Sequence, residues 1–309
     1  MSRPRRERPR TSEQSEASPG VVGRAVWEMT LPPGGWPPPW PQALQLMAYL
    51  PVRSWTLVGG LMVQLHALHA GLIPPRPTVD VDVLLHIETP DGEWGRVSAA
   101  LGKLGYTLKR SLDDKAPVHR FVRGPEAPGT PRHTDSAPGR DGGIAGQDAR
   151  GEEMVDVLVA DHAGPWAYGA RSASHSVVRA PGGTSALRKT VVCRVTEPSS
   201  GGGVVHEVSV PDVLGALTLK GGAYREDSRD PERHLDDAAV LCATVEDADE
   251  LREDPAAWTG SDAKRIRILA TALADPAHAA WAQLEPRDRP RARQTLRLLA
   301  EGPVAATGA

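Results

Sequence analysis

Cysteine is almost missing from this 309-residue chain. Cys193 and Cys242 are the only two, far apart and without metal-ligand spacing. That excludes a disulfide scaffold and a cysteine zinc knuckle, and it sets the expectation of a reduced, cytoplasmic setting. No uninterrupted apolar run approaches the length that crosses a bilayer, so no membrane partner is expected. The first residues lack the apolar segment of a secretory signal. A strong charge of either sign is lacking too. The formal net charge is −3, which gives no global pull toward nucleic acid or membrane and leaves a local basic groove open. There is no internal repeat. Glycine and proline are instead plentiful, at 31 and 29 residues, and with abundant Ala, Arg and Asp they suggest a GC-rich bacterial coding sequence.

The length allows one large domain or two small ones. Residues 1–41 read as a disordered basic tail, with Arg3, Arg5, Arg6, Arg8 and Arg10, followed by a Pro-rich linker. The linker's proline run rules out helix and central strand, and its tryptophans are candidates to dock on the core. Residues 42–210 read as the core and 211–309 as a helical C-terminal domain. In the core, Gln42–Leu50 has helical spacing and Ser54–Val58 strand character. Gly59-Gly60 is a turn, and Leu61–Ala70 is a helix closed by Gly71. A further helix spans Trp94–Leu104. Strands are expected at 106–109, 118–122 and 154–159, the last two forming a hairpin whose turn is swollen by a disordered insertion over 124–153. A strand pair follows at 190–196 and 204–210 around a Ser-Gly-Gly-Gly turn, and Pro211 is expected to open the next helix. Later helices are expected at about 232–244, 262–274, 276–284 and 289–301. His66 and His69, spaced i,i+3 on one helix, could share a face as a zinc pair, but no motif supports that use.

The stretch with chemical content is Arg76-Pro77-Thr78-Val79-Asp80-Val81-Asp82-Val83-Leu84-Leu85. Strand side chains alternate faces, so Asp80 and Asp82 share one face and the valines the other. Adjacent carboxylates repel unless something positive lies between them, and a hard cation bound through oxygen is the usual solution. The alternative is a strand whose acidic face is simply solvated. A third Asp, Asp156, stands in the middle of the apolar run Met154–Val159.

In order, these pieces are Gly59-Gly60, Arg76-x-Thr78-x-Asp80-x-Asp82, Asp156 in Val-Asp-Val-Leu, and Lys220-x-x-Ala223 with Arg225 beyond. The set resembles the nucleotidyltransferase superfamily, the fold of DNA polymerase β-type enzymes. More narrowly it resembles the AbiEii-type nucleotidyltransferases, the toxin half of some bacterial toxin–antitoxin systems. The resemblance spans roughly Ser54 to Leu241, and Arg233-His234-Leu235-Asp236-Asp237 is similar to that family's Lys-Asp-x-x-Asp segment, with His234 where Asp is common. The same segment also reads as a salt-bridge network between helices. Leu61-Met62 follow the Gly-Gly turn, so no side-chain hydroxyl is offered there.

The resemblance implies an α/β (α+β) fold, a mixed sheet flanked by helices with a helical C-terminal part. It implies transfer of a nucleoside monophosphate from an NTP, ATP among the candidates, to a hydroxyl of RNA or protein, and a cognate antitoxin as partner. Asp80, Asp82 and Asp156 would be catalytic and would bind Mg²⁺, two ions with Mn²⁺ as a possible substitute. Gly59, Gly60, Arg76, Thr78 and Lys220 would bind the nucleotide. Charge that builds on phosphoryl oxygens explains why such sites are made of cations and oriented donors. Small-molecule nucleotidyltransferases resembling the aminoglycoside and lincosamide resistance enzymes, and a degenerate nucleotide-binding module, are the alternatives.

Overall fold

The computed structural model describes residues 24–74, 76–88, 94–109, 119–124, 151–162, 177–198 and 203–304. The basic tail, most of the 124–153 insertion, Val118 and all but Gly203 of the Ser-Gly-Gly-Gly turn lie outside the described residues.

The described residues build a mixed sheet of nine strands flanked by ten helices. The strands are β1 (Val26–Thr30), β2 (Trp55–Val58), β3 (Asp80–Leu85), β4 (Thr107–Leu108), β5 (Arg120–Arg123), β6 (Glu153–Ala160), β7 (Arg179–Ala180), β8 (Thr190–Glu197) and β9 (Val204–Pro211). Their order is β1-β8-β9-β2-β3-β6-β5-β4, with β7 beside β6. The helices are α1 (Trp40–Tyr49), α2 (Gly59–His69), α3 (Trp94–Lys103), α4 (Gly183–Arg188), α5 (Val213–Glu226), α6 (Glu232–Ala243), α7 (Ala248–Glu253), α8 (Asp262–Ala272), α9 (Ala279–Ala282) and α10 (Arg289–Glu301). None of the described helices is long and apolar enough to cross a membrane.

The apolar patterns explain the centre of the sheet. β2 is buried along its whole length, and β3 buries Val81, Val83, Leu84 and Leu85 while its two Asp side chains are half-buried. β-Branched residues on a pleated surface favour this arrangement. β3 runs antiparallel to β2 and parallel to β6. The expected hairpin is present, with β5 antiparallel to β6. One cluster of buried residues runs from Leu31 to Ala300, so sheet and C-terminal helices share a continuous core.

α2 ends as its sequence predicts. Gly71 adopts φ +68, the Leu72 N–H donates to the Ala67 carbonyl at 2.8 Å, and the Gly71 N–H to that of Leu68 at 3.1 Å. Two expectations are corrected. Val26–Thr30, inside the stretch read as tail and linker, is an edge strand parallel to β8. Five residues with only Trp27 and Met29 turned toward the core carry too little alternation to stand out. Pro211 closes β9 instead of opening a helix. Asp212 is the N-cap of α5, its Oδ1 accepting from the Gly215 N–H at 2.8 Å. α5 and α8 come close because Gly221 faces the Arg265 carbonyl, where any Cβ would overlap it.

Candidate functional site

The register of the sheet assembles the site. Val58 on β2 is opposite Asp82 on β3, Asp82 is opposite Asp156 on β6, and Asp156 is opposite Arg120 on β5. Residues opposite one another in a rung share a face. Asp80, two residues back on β3, joins that face. Oxygen atoms of Asp80, Asp82 and Asp156 lie within 4.8 Å of one another, the only such metal-capable group among the described residues.

The Gly59-Gly60 turn is shaped around this cluster. Gly59 has φ +69, and a Cβ there would overlap the Asp82 carboxylate. A Cβ on Gly60 would come within 2.8 Å of the Thr78 hydroxyl oxygen. Both positions therefore require glycine, and they bring the N-terminus of α2 to the carboxylates. The free N–H groups there favour anions. Thr78 donates to Asp80 Oδ1 at 3.2 Å and so orients one carboxylate.

Burial, then the neighbouring Asp80 and Asp156, push the Asp82 carboxyl well above the usual range, while Lys220 and Arg233 pull the other way. Three crowded carboxylates with oxygen donors suit a hard divalent cation, which would relieve that repulsion. The residues present thus fit a metal ion.

Arg76 and Lys220 are tied together by a residue outside the strand motif. Arg76 donates from Nε and Nη2 to the two oxygens of Asp237, at 3.0 and 2.9 Å. Lys220 Nζ lies 2.7 Å from Asp237 Oδ2 and donates to the Gly59 carbonyl at 3.1 Å. The Asp237 side chain is 1% exposed. Burial alone would raise its pKa, but Lys220 and Arg76 outweigh that and hold it low. Asp237 therefore fixes the approach to β3, the middle of α5 and the glycine turn in one knot. Its segment reads in the structure as the salt-bridge network that was one of its two sequence readings.

The cluster opens into a cavity of about 550 Å³ between the sheet and the α5–α6 connection. His234, on its wall, pairs through Nε2 with Asp227 at 3.2 Å, and burial brings its pKa down to about 4. Arg179 and Arg229 also line the cavity, and among the described residues their side chains pair with no carboxylate. Arg225 lies outside it, on the surface beside Glu226.

All eight residues singled out in the sequence line this cavity. Arg120, Arg179 and Arg229 were not singled out, and Asp237 was named only as the end of the Arg233–Asp237 segment. Arg120 could have been found by extending the expected hairpin register, which sets an Arg against the central Asp. Arg179 and Arg229 stand next to no motif. His66 and His69 belong elsewhere: His66 bonds the Pro211 carbonyl at 2.9 Å, and Trp27 stacks on His69 at 4.3 Å.

No family model and no curated protein matches this chain. Among solved structures, the chain is similar to an antigenic nucleotidyltransferase-like protein from Paracoccidioides brasiliensis. The TM-score is 0.37 and the identity 16%, over 82% of this chain and 87% of that one. Likeness at that level carries no functional argument.

Proposed function

We propose that the protein is a metal-dependent nucleotidyltransferase that moves a nucleoside monophosphate from an NTP to an acceptor hydroxyl. The observation that carries this reading is the rung that sets Asp82 beside Asp156, with Asp80 next to them, at the floor of an open cavity facing the α2 N-terminus. A deep carboxylate cluster with a phosphate-favouring helix end beside it is what phosphoryl chemistry needs.

Mg²⁺, or Mn²⁺ in its place, held by Asp80, Asp82 and Asp156, would neutralise the triphosphate and the charge that builds around the α-phosphorus. The chain's own residues do the rest. The α2 N-terminus receives phosphate oxygens, with Gly59 and Gly60 keeping that approach clear. Arg179 and Arg229 bring guanidinium groups from the cavity wall to the distal phosphates. Lys220 and Arg76, through Asp237, hold the glycine turn and the entry to β3 in place. Asp156 stands where it can take the proton of the attacking hydroxyl.

On the sequence resemblance we read the protein as an AbiEii-type toxin that modifies RNA or protein and is opposed by a cognate antitoxin. The test is label transfer. Purified protein is given Mg²⁺, each α-labelled NTP in turn, and bacterial RNA or protein extract, with Asp80→Ala alongside. Label on a macromolecule with wild type alone supports the reading and names the nucleotide. Label on an aminoglycoside or lincosamide instead moves it to a small-molecule enzyme. Turnover that survives Asp80→Ala overturns it.

A further inference from the structure

Asp156 differs from its two neighbours in being fully engaged. Arg120 donates to it through a fork, from Nε to Oδ1 at 2.8 Å and from Nη2 to Oδ2 at 2.6 Å. The same Nη2 lies 3.9 Å from Asp80 Oδ2. Asp82 has no hydrogen bond or ion pair among the described residues, and Asp80 has only the Thr78 hydroxyl and this longer approach. Among the described residues Arg120 is the cation in ion-pair contact with this cluster, and its fork is committed to one carboxylate, while Lys220 and Arg233 act on Asp82 only from further away.

A guanidinium and a divalent ion are alternatives at such a place. Both need the carboxylate lone pairs, and they repel each other when both are close. The Arg120 side chain is 35% exposed while that of Asp156 is 9% exposed. Arg120 can turn toward water, whereas Asp156 cannot leave.

We propose that Arg120 is a built-in counter-charge that ranks the metal positions of this cluster. It reserves Asp156, leaves Asp80 and Asp82 to take a first divalent ion, and admits a second ion to Asp156 only by releasing its fork. Arg120 is thus a positioning residue that acts through Asp156. The inference takes its meaning from the nucleotidyl-transfer reading, but the binding it describes needs no turnover.

The experiment titrates the full chain with Mn²⁺ in the absence of nucleotide and follows free Mn²⁺ by electron paramagnetic resonance. Wild type, Arg120→Gln and Arg120→Lys are compared, each first shown to unfold cooperatively. Wild type is expected to bind one Mn²⁺, with any second ion at least about tenfold weaker. Arg120→Gln should tighten the second ion by about tenfold or more. Arg120→Lys keeps the charge but lacks the fork, and should fall between. Wild-type stoichiometry and affinities in a folded Arg120→Gln overturn the proposal. If Arg120→Gln does not fold, Arg120→Lys decides: a tighter second ion supports the proposal and an unchanged one overturns it. Tightened Mn²⁺ binding in the variant, with no label transfer by wild type, leaves Arg120's role standing and removes the enzymatic reading. Transfer by wild type with unchanged Mn²⁺ binding in the variant does the reverse.

Discussion

Asp262, buried at the start of α8, and Asp82, half-buried on β3, are carboxylates in opposite company. Asp262 accepts from Lys189 Nζ at 2.7 Å, from the Ser185 hydroxyl at 2.5 Å, and from the Thr259 N–H at 2.6 Å. The Thr259 and Thr218 hydroxyls add bonds at 2.9 and 3.2 Å. Burial works against its charge, but Lys189, Ser185 and Thr259 outweigh it and keep the pKa low. Lys189 is itself nearly sealed, with a side chain 6% exposed. Asp82 instead meets two more carboxylates and an open cavity, and its pKa moves up. A buried charge that is balanced and hydrogen-bonded is part of the framework. One left in excess beside open space costs stability and persists where something else is meant to bind.

The largest test of that contrast is Asp82→Asn. Transfer should fall on the order of 10³-fold, because the charge that neutralises the cation is gone. Metal-free thermal stability should hold or rise, since repulsion is relieved. A melting curve lowered as far as that of an Asp262 variant would erase the distinction between the two clusters.

The converse is Asp262→Ala. Lys189 would be left buried and unpaired, at a cost of roughly 3–5 kcal/mol in urea unfolding. Transfer per folded molecule should be unchanged. Adding Lys189→Met should recover most of the lost stability, because an apolar replacement of both partners removes the stranded charge. Failure of the double variant to recover would show that the hydroxyls around Asp262 matter more than its charge.

Asp237 lies between the extremes. It is sealed like Asp262, yet its partners Arg76 and Lys220 border the cavity. Asp237→Asn should cost about 3 kcal/mol. It should also loosen the glycine turn through Lys220, raising the KM for NTP more than it lowers kcat. A pure loss of stability, with KM unchanged in the folded fraction, would place Asp237 with the framework alone.

How far these roles are legible in sequence follows from how local their cause is. Asp80 and Asp82 declare a shared face through period two, and Asp156 is visible as an acid inside an apolar run. Gly59 carries its reason at long range, in Asp82 across the rung, yet the doublet is visible by itself. Asp237 is found only as one of several charges in Arg233–Asp237. Which of them turns inward depends on how α6 packs against α2 and α5. Arg120 has a signal only once β5 and β6 are paired. The Lys189–Asp262–Ser185–Thr259 knot joins two local pairs, Ser185 with Lys189 and Thr259 with Asp262, that lie far apart in the chain with nothing in the sequence to bring them together. β1 and α7 are missed for a simpler reason, being five and six residues long.

The smallest expected effect lies at the edge of the sealed knot. Asp212 caps α5 and is influenced by both Lys189 and Asp262. Burial pushes its carboxyl up from an ordinary 3.8 to about 6, against the Gly215 N–H and Lys189. The folded state therefore binds this proton more tightly than the unfolded chain does. Its contribution to stability is full below about pH 4 and is lost as pH rises through about 6. His66 and His234 act oppositely. Burial holds both near 4 instead of 6.5, so their contribution is lost as pH falls from 6.5 toward 4. Asp212→Asn keeps an N-cap of equal rank and removes only the first effect. Relative to wild type, the variant should gain about 1 kcal/mol in unfolding free energy between pH 4 and pH 7, after allowance for solvent screening. Urea unfolding at the two pH values measures this directly. An unchanged difference would mean that Lys189 serves both carboxylates fully, and the sealed knot would then extend one residue further than Asp262.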